Sequence, residues 1–478
     1  MATSQIARLL SRKSHVLPGQ LHVTEMFFEV PENYAQPEAG ILKLFGRRVR
    51  KHERPIVPLS DSDLTDQEKL PYLVYLEGGP GFGNREPQNH ALTQVALRRG
   101  YQMLFLDYRG TGLSTPIHAD SVRARGDAQQ QAKYLKLFRA SNIVRDIEAV
   151  RLCLLGDMDA HKQAWSIFGQ SFGGFVALTY LSKHPSSLRE AFLTGGLAPV
   201  KRTAEEVYTA TFKKLMERNA AYYQKYPDDV STVRCLAEYI HASPGSAIPL
   251  PGGGQLTVQL FLTLGIAFGA HGGLDLVHSL VLRLATDLDQ VGHFTPASLA
   301  AFESRIPFDA HPIYAILHEA IYNTKRTGAP ASNWAAHRVG KTLPPFAWLA
   351  DPVAVLGGNP ASKEPLYFSG EMIYPFHFDG AAGPELARMR DAAELLAATE
   401  AWDEDLYDEE QLARNEVPVY AASYVDDLFV DFELARETAR LVRGIKVHET
   451  NGWYHDAVRS RSDEVFAALF RLRDDCID

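Results

Sequence analysis

The stretch AWSIFGQSFGGFVALTYLSK, residues 164–183, decides the reading of the fold. Residues 164–168 are a short apolar run of the kind that makes a buried strand, and residues 172–183 read as a helix. Between them stands Gly169-Gln170-Ser171-Phe172-Gly173-Gly174. In a G-x-S-x-G turn the glycines let the chain reverse sharply enough to leave the serine strained, its hydroxyl above the sheet and at a helix N-terminus. The five-residue string alone is weak evidence. The strand before it and the helix after it make Ser171 a candidate nucleophile instead of an ordinary turn serine.

Working outward, residues 71–76 (PYLVYL) and 102–106 (QMLFL) are nearly continuous apolar runs bounded by glycines, the pattern of strands covered on both faces. A helical stretch, 89–99, lies between them. Helix 143–155, strand 164–168, helix 172–183 and strand 190–194 continue the alternation. This βαβ series predicts an α/β fold with a mostly parallel, doubly wound sheet and its active residues at the C-terminal ends of the strands. Ahead of it, residues 21–30 (LHVTEMFFEV) and 41–49 (ILKLFGRRV) alternate in polarity and predict an antiparallel pair. The segment before them is expected to be ragged.

From residue 197 to 366 the strand signal disappears. Thr203 and Glu206 form a capping box ahead of Val207, Phe212, Leu215 and Met216, and further helices are predicted after Pro227, over 312–322 and around Trp334. Helix 385–398 leads back to strand 417–422 (VPVYAA), helix 432–442, strand 445–449 and a closing helix 462–472. The expectation is one core domain, 1–196 and 367–478, split by a mainly helical cap, 197–366.

Composition narrows the function. The 49 basic and 58 acidic residues leave a net charge of −9, which argues against a polyanion-binding surface, so nucleic acid is not expected as a partner. The three cysteines, Cys153, Cys235 and Cys476, are far apart and lack metal-ligand spacing, so neither a disulfide framework nor a metal site is expected and the cytoplasm is the simpler compartment. The apolar run 260–270 is about half of the roughly 20 residues that cross a bilayer, and no membrane association is expected.

A serine hydroxyl needs a base to take its proton and an acid to orient that base, in the chain order Ser, Asp or Glu, His. The resumed sheet supplies both. Strand 417–422 runs into Ser423-Tyr424-Val425-Asp426-Asp427, and strand 445–449 into Thr450-Asn451-Gly452-Trp453-Tyr454-His455. Of the 17 histidines, His448 falls inside a strand and His184 beyond a helix, whereas His455 sits past a strand's C-terminal end. Spacing does not choose between Asp426 and Asp427. For a developing oxyanion, the turn Gly78-Gly79-Pro80-Gly81 lets backbone N–H groups approach a substrate, and Gly79 with Phe172 is the natural donor pair.

With these pieces in place the chain resembles the prolyl iminopeptidase (proline aminopeptidase) family of α/β hydrolases. The resemblance is carried by Gly78-Gly79-Pro80-Gly81, by Asp107-Tyr108-Arg109-Gly110-Thr111-Gly112-Leu113-Ser114 and by the 169–174 elbow. It extends through Gly370-Glu371-Met372-Ile373-Tyr374-Pro375, 424–430 and 451–459, which look like the larger, longer-capped branch. Glu77 departs from it, since many relatives have histidine there. The resemblance implies an α/β-hydrolase fold and a serine exopeptidase that releases N-terminal proline from short peptides with no cofactor. It implies Ser171, Asp427 and His455 as the triad, with Asp426 in reserve, and Glu319 and Glu371 as anchors of the imino group. Arg109 is expected to hold its loop, and Phe172 and Tyr374 to wall the proline pocket. The alternatives are a carboxylesterase or amidase on the same scaffold, and a hydrolase-fold protein that only binds a ligand.

Overall fold

The computed structural model describes residues 5–475 apart from 55, 57–59, 61–67, 324–330, 357–363, 401 and 403. Its centre is a sheet built on the two apolar runs of the sequence. β1 (Arg8–Leu17), β2 (Leu21–Pro31) and β3 (Ile41–Lys51) precede β4 (Tyr72–Leu76) and β5 (Gln102–Leu106), and every residue of β4 and β5 is buried. β6 (Trp165–Gln170) and β7 (Leu188–Thr194) follow. After a short hairpin of β8 (Ile248–Pro249) and β9 (Gln255–Leu256), the sheet resumes with β10 (Val419–Tyr424) and β11 (Ile445–Thr450).

The nine sheet strands lie in the order β1-β2-β3-β5-β4-β6-β7-β10-β11. β1, β2, β3 and β5 pair antiparallel, and all pairs from β5 to β11 are parallel. The chain leaves β4 toward β5 and then returns to the other side of β4 with β6. Such a reversal opens a crevice at the carboxyl ends of the two strands concerned. Because Leu76 is in register with Gly169, the turn after β4 and the elbow after β6 emerge side by side. The register Thr194–Ala422 and Tyr424–Thr450 brings the loops after β10 and β11 to the same rim.

Helix α1 (Ala140–Leu155) and helix α2 (Phe172–Lys183) cover one face of the sheet together with a large apolar core. Helix α3 (Phe432–Leu441) and helix α4 (Ser462–Asp474) close the second half. Between β7 and β10 the chain is mostly helical, and its first helix, Ala204–Lys225, starts on the capping box, with Thr203 Oγ1 accepting from the Glu206 N–H. Among the described residues no helix is long and apolar enough to cross a membrane.

Three details differ from the sequence reading. The N-terminal segment forms β1 instead of a ragged end, although all its residues but Leu17 are exposed. The expected helix 385–398 is two pieces, Pro384–Ala387 and Arg390–Ala397, because Met389 leaves the helical conformation. The expected helix 312–322 changes after Pro312–Leu317 to a 3-10 turn, Glu319–Ile321.

Candidate active site

Ser171 sits at the elbow between β6 and α2 with φ 54° and ψ −123°, a region that non-glycine residues occupy only under constraint. The constraint is local packing. A Cβ on Gly173 would overlap the carbonyl oxygen of Leu76 at the end of β4, so only glycine lets the helix start this close to the sheet. The N–H of Ser171 donates to Thr194 O at 3.1 Å, which fixes the elbow against β7.

The three candidate triad residues form one chain of hydrogen bonds. His455 Nδ1 lies 3.0 and 2.9 Å from the two carboxylate oxygens of Asp427, and His455 Nε2 lies 2.8 Å from Ser171 Oγ. A carboxylate only accepts, so the ring hydrogen sits on Nδ1, Nε2 is the acceptor, and the serine hydroxyl donates to it. Asp427 also accepts the N–H groups of Phe429 and Val430 at 2.8 and 3.1 Å. Burial lowers the basicity of His455, but the Asp427 carboxylate and its hydrogen bond prevail and, with the Glu371 charge, raise its pKa above the ordinary value. Asp426, which the spacing left open, points elsewhere: it is more than a third exposed and pairs with Lys214 at 3.3 Å.

The glycine turn after β4 closes over this group. A Cβ on Gly78 would stand 3.2 Å from Ser171 Cβ and 2.5 Å from Gln170 Oε1. The N–H of Gly78 is already used, donating to Glu77 Oε1 at 2.9 Å, and the same oxygen accepts from Arg459 at 3.3 Å. Glu77 is buried, which pushes its pKa up against the pull of Arg459, and its side chain folds back onto its own turn. Phe172 is the first residue of α2, so its N–H has no partner within the helix. Gly79, the other expected donor, follows Gly78 in the turn that approaches the serine.

Two further carboxyl groups come from beyond β7 in the chain, the part-buried Glu371 and the buried Glu319. Glu371 Oε1 accepts from Tyr314 OH at 2.7 Å, and desolvation lifts the acid to about 7 despite the nearby His455. Glu319 Oε1 accepts from the Ala336 N–H at 2.9 Å, while its Oε2 is buried with no hydrogen-bond partner among the described residues. Its pKa is likewise raised by burial. Both carboxylates push up the pKa of the buried Tyr208 and Tyr322, whose burial raises it most. Tyr314 was not singled out from sequence. It lies in the predicted helix five residues before Glu319, but nothing in the sequence pairs it with a residue 57 positions later.

Tyr374, expected to wall the pocket, is instead wholly buried, its hydroxyl 2.6 Å from Ser369 Oγ and its ring stacked on Phe376, so it presents no surface to a ligand. Arg109 is also wholly buried. It makes a two-point ion pair with Asp146 at 2.7 and 2.6 Å and donates to the carbonyls of Pro31, Glu32 and Leu137, the loop-holding place expected of it. Among the described residues no group of three or more His, Cys, Asp or Glu converges as metal ligands.

A sequence profile for the alpha/beta hydrolase fold matches residues 71–236. The chain is 38% identical over 472 residues to a proline iminopeptidase of Aspergillus aculeatus, across 99% of this chain and 98% of that protein. It is 38% identical over 469 residues to a proline iminopeptidase of Aeromonas sobria, across 98% of this chain and all of that protein. Among solved structures, a proline iminopeptidase of Mycobacterium smegmatis aligns with a TM-score of 0.40 at 12% identity, covering 97% of this chain and 98% of that one.

Proposed function

The chain belongs to the proline iminopeptidase family of α/β hydrolases, and from that premise we propose which residues carry its reaction. It is an aminopeptidase that releases N-terminal proline from peptides. In our reading Ser171 attacks the prolyl carbonyl while His455 takes its proton and Asp427 stabilises the imidazolium. The N–H groups of Gly79 and Phe172 hold the oxyanion. His455 then protonates the leaving amine, and water releases proline from the acyl-enzyme.

The observation that carries this assignment is the unbroken hydrogen-bonded chain from Asp427 through His455 to Ser171, beside a glycine turn within contact of the serine. The imino group of the substrate is read as resting against Glu319 and Glu371. A protonated prolyl nitrogen carries two N–H donors, one for each carboxylate. It would also stabilise the ionised form of two acids whose pKa burial raises. We take residues 197–366 as a cap that limits the depth of the pocket, with 1–196 and 367–478 as the two parts of the core. The cytoplasmic location belongs to the same proposal, supported by the free thiols of Cys153 and Cys235; Cys476 lies outside the described residues.

The test is proline 4-nitroanilide hydrolysis by the wild type and Ser171→Ala, alongside N-acetylated proline and alanine arylamides. Ser171→Ala is expected to lose about 10⁴-fold or more in kcat, and the wild type to reject the N-acetylated substrate. A Ser171→Ala protein that still releases proline would end the nucleophile assignment, and equal rates on blocked and free substrates would end the amine anchor.

A further inference from the structure

The loop that carries His455 is gripped by residues from the helical stretch between β7 and β10. The N–H of His455 donates to the carbonyl of Gly269 at 3.1 Å. The next residue, Asp456, accepts from the backbone N–H of His271 at 2.9 Å and from its ring Nδ1 at 2.6 Å. Ser460 Oγ stands 2.8 Å from the same ring nitrogen. On the other side of His455, Tyr454 meets the His271 ring edge-on, with centroids 5.0 Å apart, and lies 4.4 Å beneath the Arg218 guanidinium. Arg218 Nη1 donates to Tyr454 OH and its Nε to the carbonyl of Phe268, both at 3.2 Å. Residues 268–271 and 454–456 are therefore stitched together on both flanks of His455.

The same segment also bears on the imidazole through Phe429. Phe429 packs against the His455 ring at 4.7 Å, and a Cβ on Gly269 would run into the Phe429 ring. Glycine at 269 is what allows the segment to press Phe429 onto the histidine. Asp427 governs the rotation of the ring, but the place of the backbone that carries it is set by contacts outside the triad. An imidazole displaced by about 1 Å loses the hydrogen bond that activates the serine, and misplacements of that size lower rates by up to about 100-fold.

We propose that His271 and Arg218 are positioning residues for the general base, so that the insertion locates His455 as well as shaping the pocket. This rests on His455 being the base. The experiment measures kcat and KM for proline 4-nitroanilide, with active sites counted by stoichiometric fluorophosphonate labelling, so that every kcat is per competent site. His271→Ala is expected to lower kcat about 10- to 100-fold with KM within about twofold of the wild type. His271→Asn keeps a short N–H donor toward Asp456 and is expected to return kcat to within about threefold. Arg218→Met loosens the loop from the other flank and is expected to show the same split, and it serves the same criterion if His271→Ala does not fold.

A per-site kcat unchanged in these variants overturns the proposal, as does a loss confined to KM or to the number of labelled sites. His455→Ala keeps the two readings apart. If it retains activity, the triad assignment fails. If it is inactive while His271→Ala turns over normally, only the positioning role fails.

Discussion

Glu371 is an acid that the fold holds in a costly state, lifted by burial from its ordinary 4.5 to about 7. Between those values the native protein retains a proton that the unfolded chain has released, so stability falls as pH rises through that window. Glu371→Gln is therefore expected to raise stability at pH 8 by up to about 3 kcal/mol while it loses activity, and urea unfolding with arylamide kinetics checks both. On the proposed anchoring of the substrate amine by the Glu371 carboxylate, KM of the wild type is expected to drop as pH rises through about 7, a limb that the variant lacks. His455, also raised, must be neutral to act as base, and its limb appears in kcat of both proteins. A wild-type KM flat from pH 5.5 to 8 would remove Glu371 from amine binding. Ser171 and Gly79 are legible in sequence because an elbow and a glycine turn are local. Spacing leaves Asp426 and Asp427 open and only the resemblance favours Asp427, because the contact that occupies Asp426 comes from Lys214, 212 positions away.

At the scale of elements, Arg109 joins three of them: it ties the loop after β5 to Asp146 on α1 and to the carbonyls that end β2. Both partners of the ion pair are essentially without solvent contact, and Tyr34 OH donates to the same carboxylate at 2.9 Å. Removing one member of such a pair strands the other, which costs about 3–5 kcal/mol. Arg109→Met is expected to lose that much in urea unfolding, and a loss under about 1 kcal/mol would show that the pair does not fasten the loop. The strands of the central sheet were readable because burial on both faces leaves an unmistakable apolar run, as in β4 and β5. The apolar run 260–270 had no period to read. It folds as a helical turn, Val258–Phe261, and then a 3-10 segment, Leu262–Gly269. The following helix, Gly273–Val291, begins behind a left-handed Gly272 with no capping side chain, so its start carried no signal.

For the whole molecule, β1 is one of the two edge strands of the sheet and the farther of them in strand order from β6. Its sequence hid it, since exposed faces impose no alternation. Deleting residues 1–17 is expected to leave kcat/KM for proline 4-nitroanilide within about twofold and to lower Tm by a few degrees; a tenfold loss of activity would tie β1 to the site. The order of the remaining strands has another consequence. β10 fills the edge of β7 only after the entire helical stretch has been made, and it is β10 and β11 that lead into Asp427 and His455. On the proposed triad, a polypeptide still on the ribosome carries Ser171 long before Asp427 and His455 exist to activate it.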